Sequence, residues 1–420
     1  MEAFRTAFLF FLAAATITRL WLDRRHLRHV LRNRDRVPEA FRDRVPLADH
    51  RKAADYTAAR TRLGAVETVY DAVLLLGWTV GGALDALDRA WRGLGLDPLL
   101  TGVGVMLSVF LLIALLELPF SIFHTFRIEQ RFGFNRSTPA LFAADLARQL
   151  ALTLLLGAPL AWVALWLMQH AGALWWLYVW AVWIGFGLLM SWAWPTLIAP
   201  LFNRFSPLHD EALRTRIERL LARCGFASDG VFVMDGSRRS AHGNAYFTGL
   251  GRHKRIVFFD TLLQELDHAE VEAVLAHELG HFRLHHVRKR LIHGAVLSLA
   301  GLAALAWLMH RPWFYAALGV STPSDHMALL LFLLVGPTFA FLLQPLAARI
   351  SRRHEYEADA FAAGQTDGEA LVRALVKLYR ENASTLTPDP LYSAFHDSHP
   401  PAPLRIAHLS AAARASAAPH

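Results

Sequence analysis

The run His277-Glu278-Leu279-Gly280-His281 places two imidazoles at i and i+4, with a carboxylate beside the first. On a helix this spacing sets both rings on one face, where they can bind a single metal ion together. Zinc in such a setting lowers the pKa of its water towards about 7, and Glu278 is placed to take the proton as that water attacks a peptide carbonyl. An open catalytic zinc takes three protein ligands, so one more is required. His285 is the nearest in sequence, but on a continuous helix it stands two turns, about 12 Å, from His277. The form of the motif in which the chain turns back needs Gly and His where Leu284 and Val287 stand. The better source is Ser351-Arg352-Arg353-His354-Glu355-Tyr356-Glu357-Ala358-Asp359, in which Glu355 and Asp359 share a helical face. One of the two can bind the ion while the other orients a ligating histidine, and spacing alone does not say which. Glu357 points off that face.

These elements have to be positioned by an unusually apolar chain. Hydrophobic residues make up 54% of its 420 positions, too many for a soluble protein of this length. Seven apolar stretches reach, or nearly reach, the roughly 20 residues that a crossing requires: about 3–22, 67–86, 101–123, 149–169, 173–197, 291–309 and 327–347. The second is the weakest, with Glu67, Asp71 and Asp85 at its ends. The first reads as a retained span rather than a signal peptide, because Arg19 follows Ala13, Ala14 and Ala15 and the apolar run continues to Trp21 and Leu22. The single Cys224 excludes an intrachain disulfide and a thiolate-built zinc site.

The net charge of +8 sits largely beside the apolar stretches rather than along a soluble face, which argues for topology and against nucleic-acid binding. Arg24, Arg25, Arg28, Arg32, Arg34, Arg36, Arg42 and Arg44 crowd the segment after the first span, so it should face the cytoplasm. Alternation puts 124–148, 198–290 and 348–420 on the same side, and these also carry Arg and Lys. Trp175, Trp176, Trp192 and Trp194 fall near the ends of the fifth span, as an interfacial belt would place them.

The main soluble region, 199–290, opens with a helical pattern at 208–224, followed by β-like runs at Val231–Met234, Asn244–Thr248 and Ile256–Phe259 that suit a small sheet. Asp267 and Glu270 form a capping-box signature, and the helix they start is expected to run through Arg290 into the sixth span. The fold class is therefore mainly α: seven transmembrane helices with a cytoplasmic α+β domain. It divides into spans one to five (1–198), a zinc-protease domain (199–290), spans six and seven (291–348), a C-terminal part of the catalytic domain (349–410) and a disordered Ala/Ser-rich tail (411–420).

The His-Glu-Leu-Gly-His run, the 351–359 run, Asn244-Ala245-Tyr246-Phe247-Thr248-Gly249, the segment from Ile128 to Asn135 (Ile-Glu-Gln-Arg-Phe-Gly-Phe-Asn) and Ser398-His399-Pro400-Pro401 are spread along most of the chain. Together they resemble the integral-membrane CAAX prenyl endopeptidases of type I, zinc proteases with seven spans. The resemblance implies one zinc held by His277, His281 and Glu355, with Glu278 as base and Asp359 behind a ligand. It implies that Asn244, Ala245 and Tyr246 pair with an extended substrate, and that His399 and Arg405 polarise the carbonyl and stabilise the oxyanion. It also implies a hollow chamber enclosed by the spans, which Asp71 and Glu117 would suit. The chain departs from the family pattern at Ala241-His242-Gly243, and at Glu357, where the family often has Gln.

The expected partners are a peptide or protein substrate, prenylated or membrane-bound, and membrane lipid; no oligomer is required. The low cysteine content and Arg- and Ala-rich usage suggest a bacterial inner membrane. A membrane quality-control protease would use the same chemistry on misfolded chains. A transporter with a structural His-Glu cluster is the non-enzymatic rival.

Overall fold

The computed structural model describes residues 1–248 and 253–417. Six helices among them are long and apolar enough to cross a membrane: Glu2–Arg32, Pro98–Phe132, Pro139–His170, Gly172–Phe202, His286–Leu308 and Asp325–Gln365. Their starts follow local chemistry. Asp97 accepts from the Leu99 and Leu100 amides ahead of Pro98, and Thr138 accepts from Leu141 ahead of Pro139. Large apolar side chains such as Leu155, Trp183, Leu188 and Leu297 remain exposed on these helices, as a lipid-facing surface requires.

The weak second span is a bent pair rather than one straight helix. Leu47–Trp78 and Ala83–Arg92 meet at 47°, and only together do they make a seventh crossing. The helix stops at Thr79, and Gly82 takes a left-handed turn at φ +79 that favours glycine. Asp85 then lies beyond the bend, where its carboxylate accepts from the Ser321 amide and hydroxyl at 2.7 and 2.6 Å. The aromatic belt needs a similar adjustment. Trp192 and Trp194 are exposed, whereas Trp175 is buried and packs within the bundle.

Outside the membrane, four strands form one sheet in the order β1-β2-β4-β3, with β1 Phe205–Pro207, β2 Ala227–Met234, β3 Ala245–Thr248 and β4 His253–Phe259. β2 and β4 are parallel, and the outer strands run antiparallel to their neighbours. β1 was not visible in the sequence, because a three-residue strand carries no periodicity. The helix Glu211–Cys224 buries Leu213, Ile217, Leu220 and Leu221 in a core shared with Ile256, Phe258, Leu275 and Leu279, and with Leu371 and Leu375 from after the last span. Residues 208–279 and 362–409 thus contribute to one apolar core, on either side of spans six and seven in sequence.

The capping box forms as expected, with Asp267 accepting from the Glu270 amide and Glu270 accepting from the Asp267 amide. The helix does not run on into the sixth span. It ends at Arg283, His285 adopts a left-handed conformation at φ 59, and a new helix begins at His286. By contrast, the seventh crossing continues through a short 3-10 turn into Gln344–Gln365, which carries Glu355 and Asp359 out beyond the apolar stretch. The final helix, Ala402–Ala417, passes the boundary at 411 that composition set for a tail, and residues 418–420 lie outside the described residues.

The helices His268–Arg283 and Gln344–Gln365 cross at Gly280. A Cβ there would sit 3.1 Å from Ala358 Cα and 3.2 Å from Phe361. Glycine costs about 1 kcal/mol against alanine in a helix, and here it permits the approach that brings the segments carrying His277, His281 and Glu355 together. Gly280→Val is expected to lower stability by about 1–3 kcal/mol through overpacking. Thermal unfolding in detergent checks this, and an unchanged midpoint would contradict it.

Candidate active site

His277 and His281 project from the 268–283 helix with their rings at 87° and centroids 5.0 Å apart. Both direct Nε2 at the Glu355 carboxylate: His277 Nε2 lies 3.4 Å from Oε2, and His281 Nε2 lies 3.3 Å from Oε1. These contacts are long for hydrogen bonds to a carboxylate, and Glu355 Oε2 is buried with no hydrogen-bond partner. Ligand atoms about 2.1 Å from a tetrahedral zinc stand about 3.4 Å from one another. The donor set, its spacing and the orphaned oxygen therefore fit one zinc ion.

The opposite edge of His277 is held separately. Its Nδ1 lies 2.8 Å from Asp359 Oδ1, and Arg405 grips the same carboxylate through Nε at 2.9 Å and Nη2 at 2.5 Å. Burial disfavours a charged imidazole at 277, yet Asp359 and Glu355 outweigh it and raise the pKa to about 9. Burial also works against the Arg405 charge, and Asp359 more than restores it.

Among the residues singled out from sequence, the structure brings His277, His281, Glu355, Asp359, His399 and Arg405 into one cluster. His399 Nε2 lies 3.4 Å from Glu355 Oε1, and its side chain is 62% exposed at the mouth of the site. Arg405 is 6% exposed and directs its fork at Asp359, with Nη1 3.9 Å from Glu355. Glu278 is half-buried and lines a groove of about 850 Å³ with His281, Ala245, Tyr246, Phe247, Thr248, Arg255 and Arg290. β3 is the terminal strand of the sheet, and it forms one wall of this groove.

Asn244 is exposed just before β3; its side chain accepts from the Ala245 amide, and its carbonyl accepts from Phe259. The unusual His242 ahead of it is well fixed. It faces Glu129 at 3.1 Å and Asn382 at 3.2 Å, and it stacks on Phe134 at 4.2 Å. The 128–135 segment therefore meets the approach to β3, with an Asn135–Ser240 bridge between them.

Two polar recesses run alongside. One, of about 680 Å³, reaches from Asp23, Arg60 and Glu67 to His399, and the other, of about 230 Å³, holds Arg19, Asp71 and Glu117 among the spans. Sequence reasoning missed His286, His354 and Glu357, which cluster beside His281. Helical periodicity could not find His286, because the break at His285 reorients it, and a Gly or Pro that would have marked the break is missing.

The chain is similar to known proteins along most of its length. Residues 26–204 match the model described as CAAX prenyl protease N-terminal, five membrane helices, and residues 207–413 match peptidase family M48. The CAAX prenyl protease 1 homolog of Arabidopsis thaliana is 37% identical over 328 residues, covering 77% of this chain and 76% of that protein. CAAX prenyl protease 1 of Saccharomyces cerevisiae is 38% identical over 304 residues, covering 68% and 67%. The crystal structure of S. mikatae Ste24p superposes with a TM-score of 0.88 at 28% identity, over 96% of this chain and 98% of that one. The chain belongs to the CAAX prenyl protease family of M48 peptidases, and it is a multi-pass membrane zinc metalloendopeptidase.

Proposed function

We propose that this protease cuts the C-terminal tails of lipid-modified, membrane-bound proteins, of which prenylated CAAX proteins are the model substrate. The observation that carries this reading is the composition of the groove. One wall is the edge strand β3, the end holds Glu278 and His281, and the other wall is Leu188, Ser191, Trp192 and Thr196 of the fifth span. A peptide can pair with the strand while an attached lipid lies against the apolar wall.

His277, His281 and Glu355 hold the zinc in this reading. When bound, zinc supplies Lewis-acid chemistry, polarising the carbonyl and acidifying water. Glu278 takes the proton of the attacking water. Asn244, Ala245 and Tyr246 align the substrate backbone. His399 donates to the carbonyl oxygen from its exposed position. Asp359 fixes the tautomer and direction of His277, and Arg405 acts through Asp359, adding its positive field from behind the ligands.

The Arg-rich extensions of the first two helices, with Arg34 paired to Asp55 and Arg25 to Asp389, support a cytoplasmic catalytic face. Composition supports a bacterial inner membrane, while the relatives named above are eukaryotic.

The test compares a farnesylated CAAX peptide with its unmodified twin. Purified protein should cut the farnesylated peptide with a KM lower by at least about tenfold, from burial of the lipid, and a chelator should stop the reaction. Equal cleavage of both peptides would favour the quality-control reading.

A further inference from the structure

The two metal-binding histidines are braced differently. His277 meets the Asp359 carboxylate directly, whereas His281 Nδ1 faces another ring nitrogen, His286 Nδ1, at 3.0 Å. His286 is fully buried, and its Nε2 lies 2.9 Å from Glu357 Oε2. Glu357 Oε1 in turn accepts from Arg353 Nε at 2.9 Å. The break at Arg283–His286 creates this contact, since it turns the second helix so that its first residue meets the end of the one before.

Proton positions along this row follow from one premise, that His281 offers Nε2 to zinc as in the reading above. Its one hydrogen is then on Nδ1. His286 Nδ1 must be the acceptor, so the hydrogen of His286 is on Nε2, where Glu357 accepts it. The reverse order would leave His281 with no ring hydrogen once it binds zinc, and would set a bare His286 nitrogen against a carboxylate. We infer that His286 and Glu357 form a relay that fixes the tautomer and orientation of His281. They are positioning residues for the zinc, acting through one ligand as Asp359 acts through the other.

The same three side chains, His286, His354 and Glu357, also lie close enough to be read as a second cation site. Ring geometry argues against it. His286 and His354 stack at 4.1 Å with an angle of 12°, so their in-plane lone pairs run side by side instead of converging. A cation on His286 Nε2 would also displace the hydrogen that Glu357 accepts.

The test is zinc affinity of the full chain in detergent, measured by competition with a chromophoric chelator. Glu357→Leu removes the acceptor at a partly exposed position and is expected to weaken zinc binding by about 10–100-fold, as His286→Phe should. Glu357→Gln keeps an acceptor oxygen and should recover affinity to within about threefold of the unaltered chain. Unchanged affinity in Glu357→Leu overturns the relay, as does a Gln variant as weak as Leu. Two zinc ions per chain in the unaltered protein would also overturn it, in favour of a second site. An unaltered chain that binds no zinc would instead refute the ligand assignment on which the relay rests.

Discussion

A Glu278→Gln chain is expected to keep one zinc and to lose proteolysis by about 10²–10⁴-fold, the usual contribution of a general base. Glu278 follows His277 directly, about 100° further around the helix. This offset takes it out of the ligand cluster and into the groove beside His281 and β3, where it is half-buried. Glutamine has the same shape and keeps an oxygen acceptor, so the ligands and the helix packing should survive. It cannot accept a proton at neutral pH. A thousandfold loss corresponds to about 4 kcal/mol of transition-state stabilisation. Zinc content and kcat on a quenched peptide are the two readouts. Activity above a tenth of the unaltered rate would remove Glu278 as base, and loss of zinc would make it a ligand or a structural support.

The spans and the His-Glu helix were legible because each rests on a local signal: hydropathy in one case, i and i+4 spacing with a capping box in the other. Features that depend on distant contacts were not. The bend after Trp78 was hidden because Asp85 reads as a misplaced charge until its partner Ser321 is seen. β1 exists through pairing with β2, which a run of Phe205, Ser206 and Pro207 does not announce. The stop at Arg283 has no breaker residue, so the sequence predicts a continuous helix and places His286 on the wrong side of His281. Glu357 suffered the same error. It lies off the Glu355 face, yet that direction leads to His286 and so back to His281.

Spacing left Glu355 and Asp359 equivalent, and their surroundings separate them. Glu355 faces the Nε2 atoms of both histidines and keeps one oxygen without a hydrogen bond, whereas Asp359 is saturated by His277 Nδ1 and Arg405. Opposite consequences are expected on substitution. Glu355→Gln should weaken zinc by roughly a thousandfold, about 4 kcal/mol of the 10–16 kcal/mol typical of a structural zinc site. In the metal-free protein it should lower stability only modestly, because glutamine keeps an acceptor beside His277 and His281 and only the charge that the two imidazoles favour is lost. Asp359→Asn should weaken zinc by only about 10–100-fold. Its larger effect is on folding, since Arg405 is left as a buried cation that keeps only the more distant Glu355 carboxylate, a change that costs about 3–5 kcal/mol. Chelator competition and thermal unfolding of the metal-free proteins measure both effects on the same samples. If Asp359→Asn abolishes stoichiometric zinc while Glu355→Gln retains it, the ligand is Asp359, and the assignment of the two carboxylates is reversed.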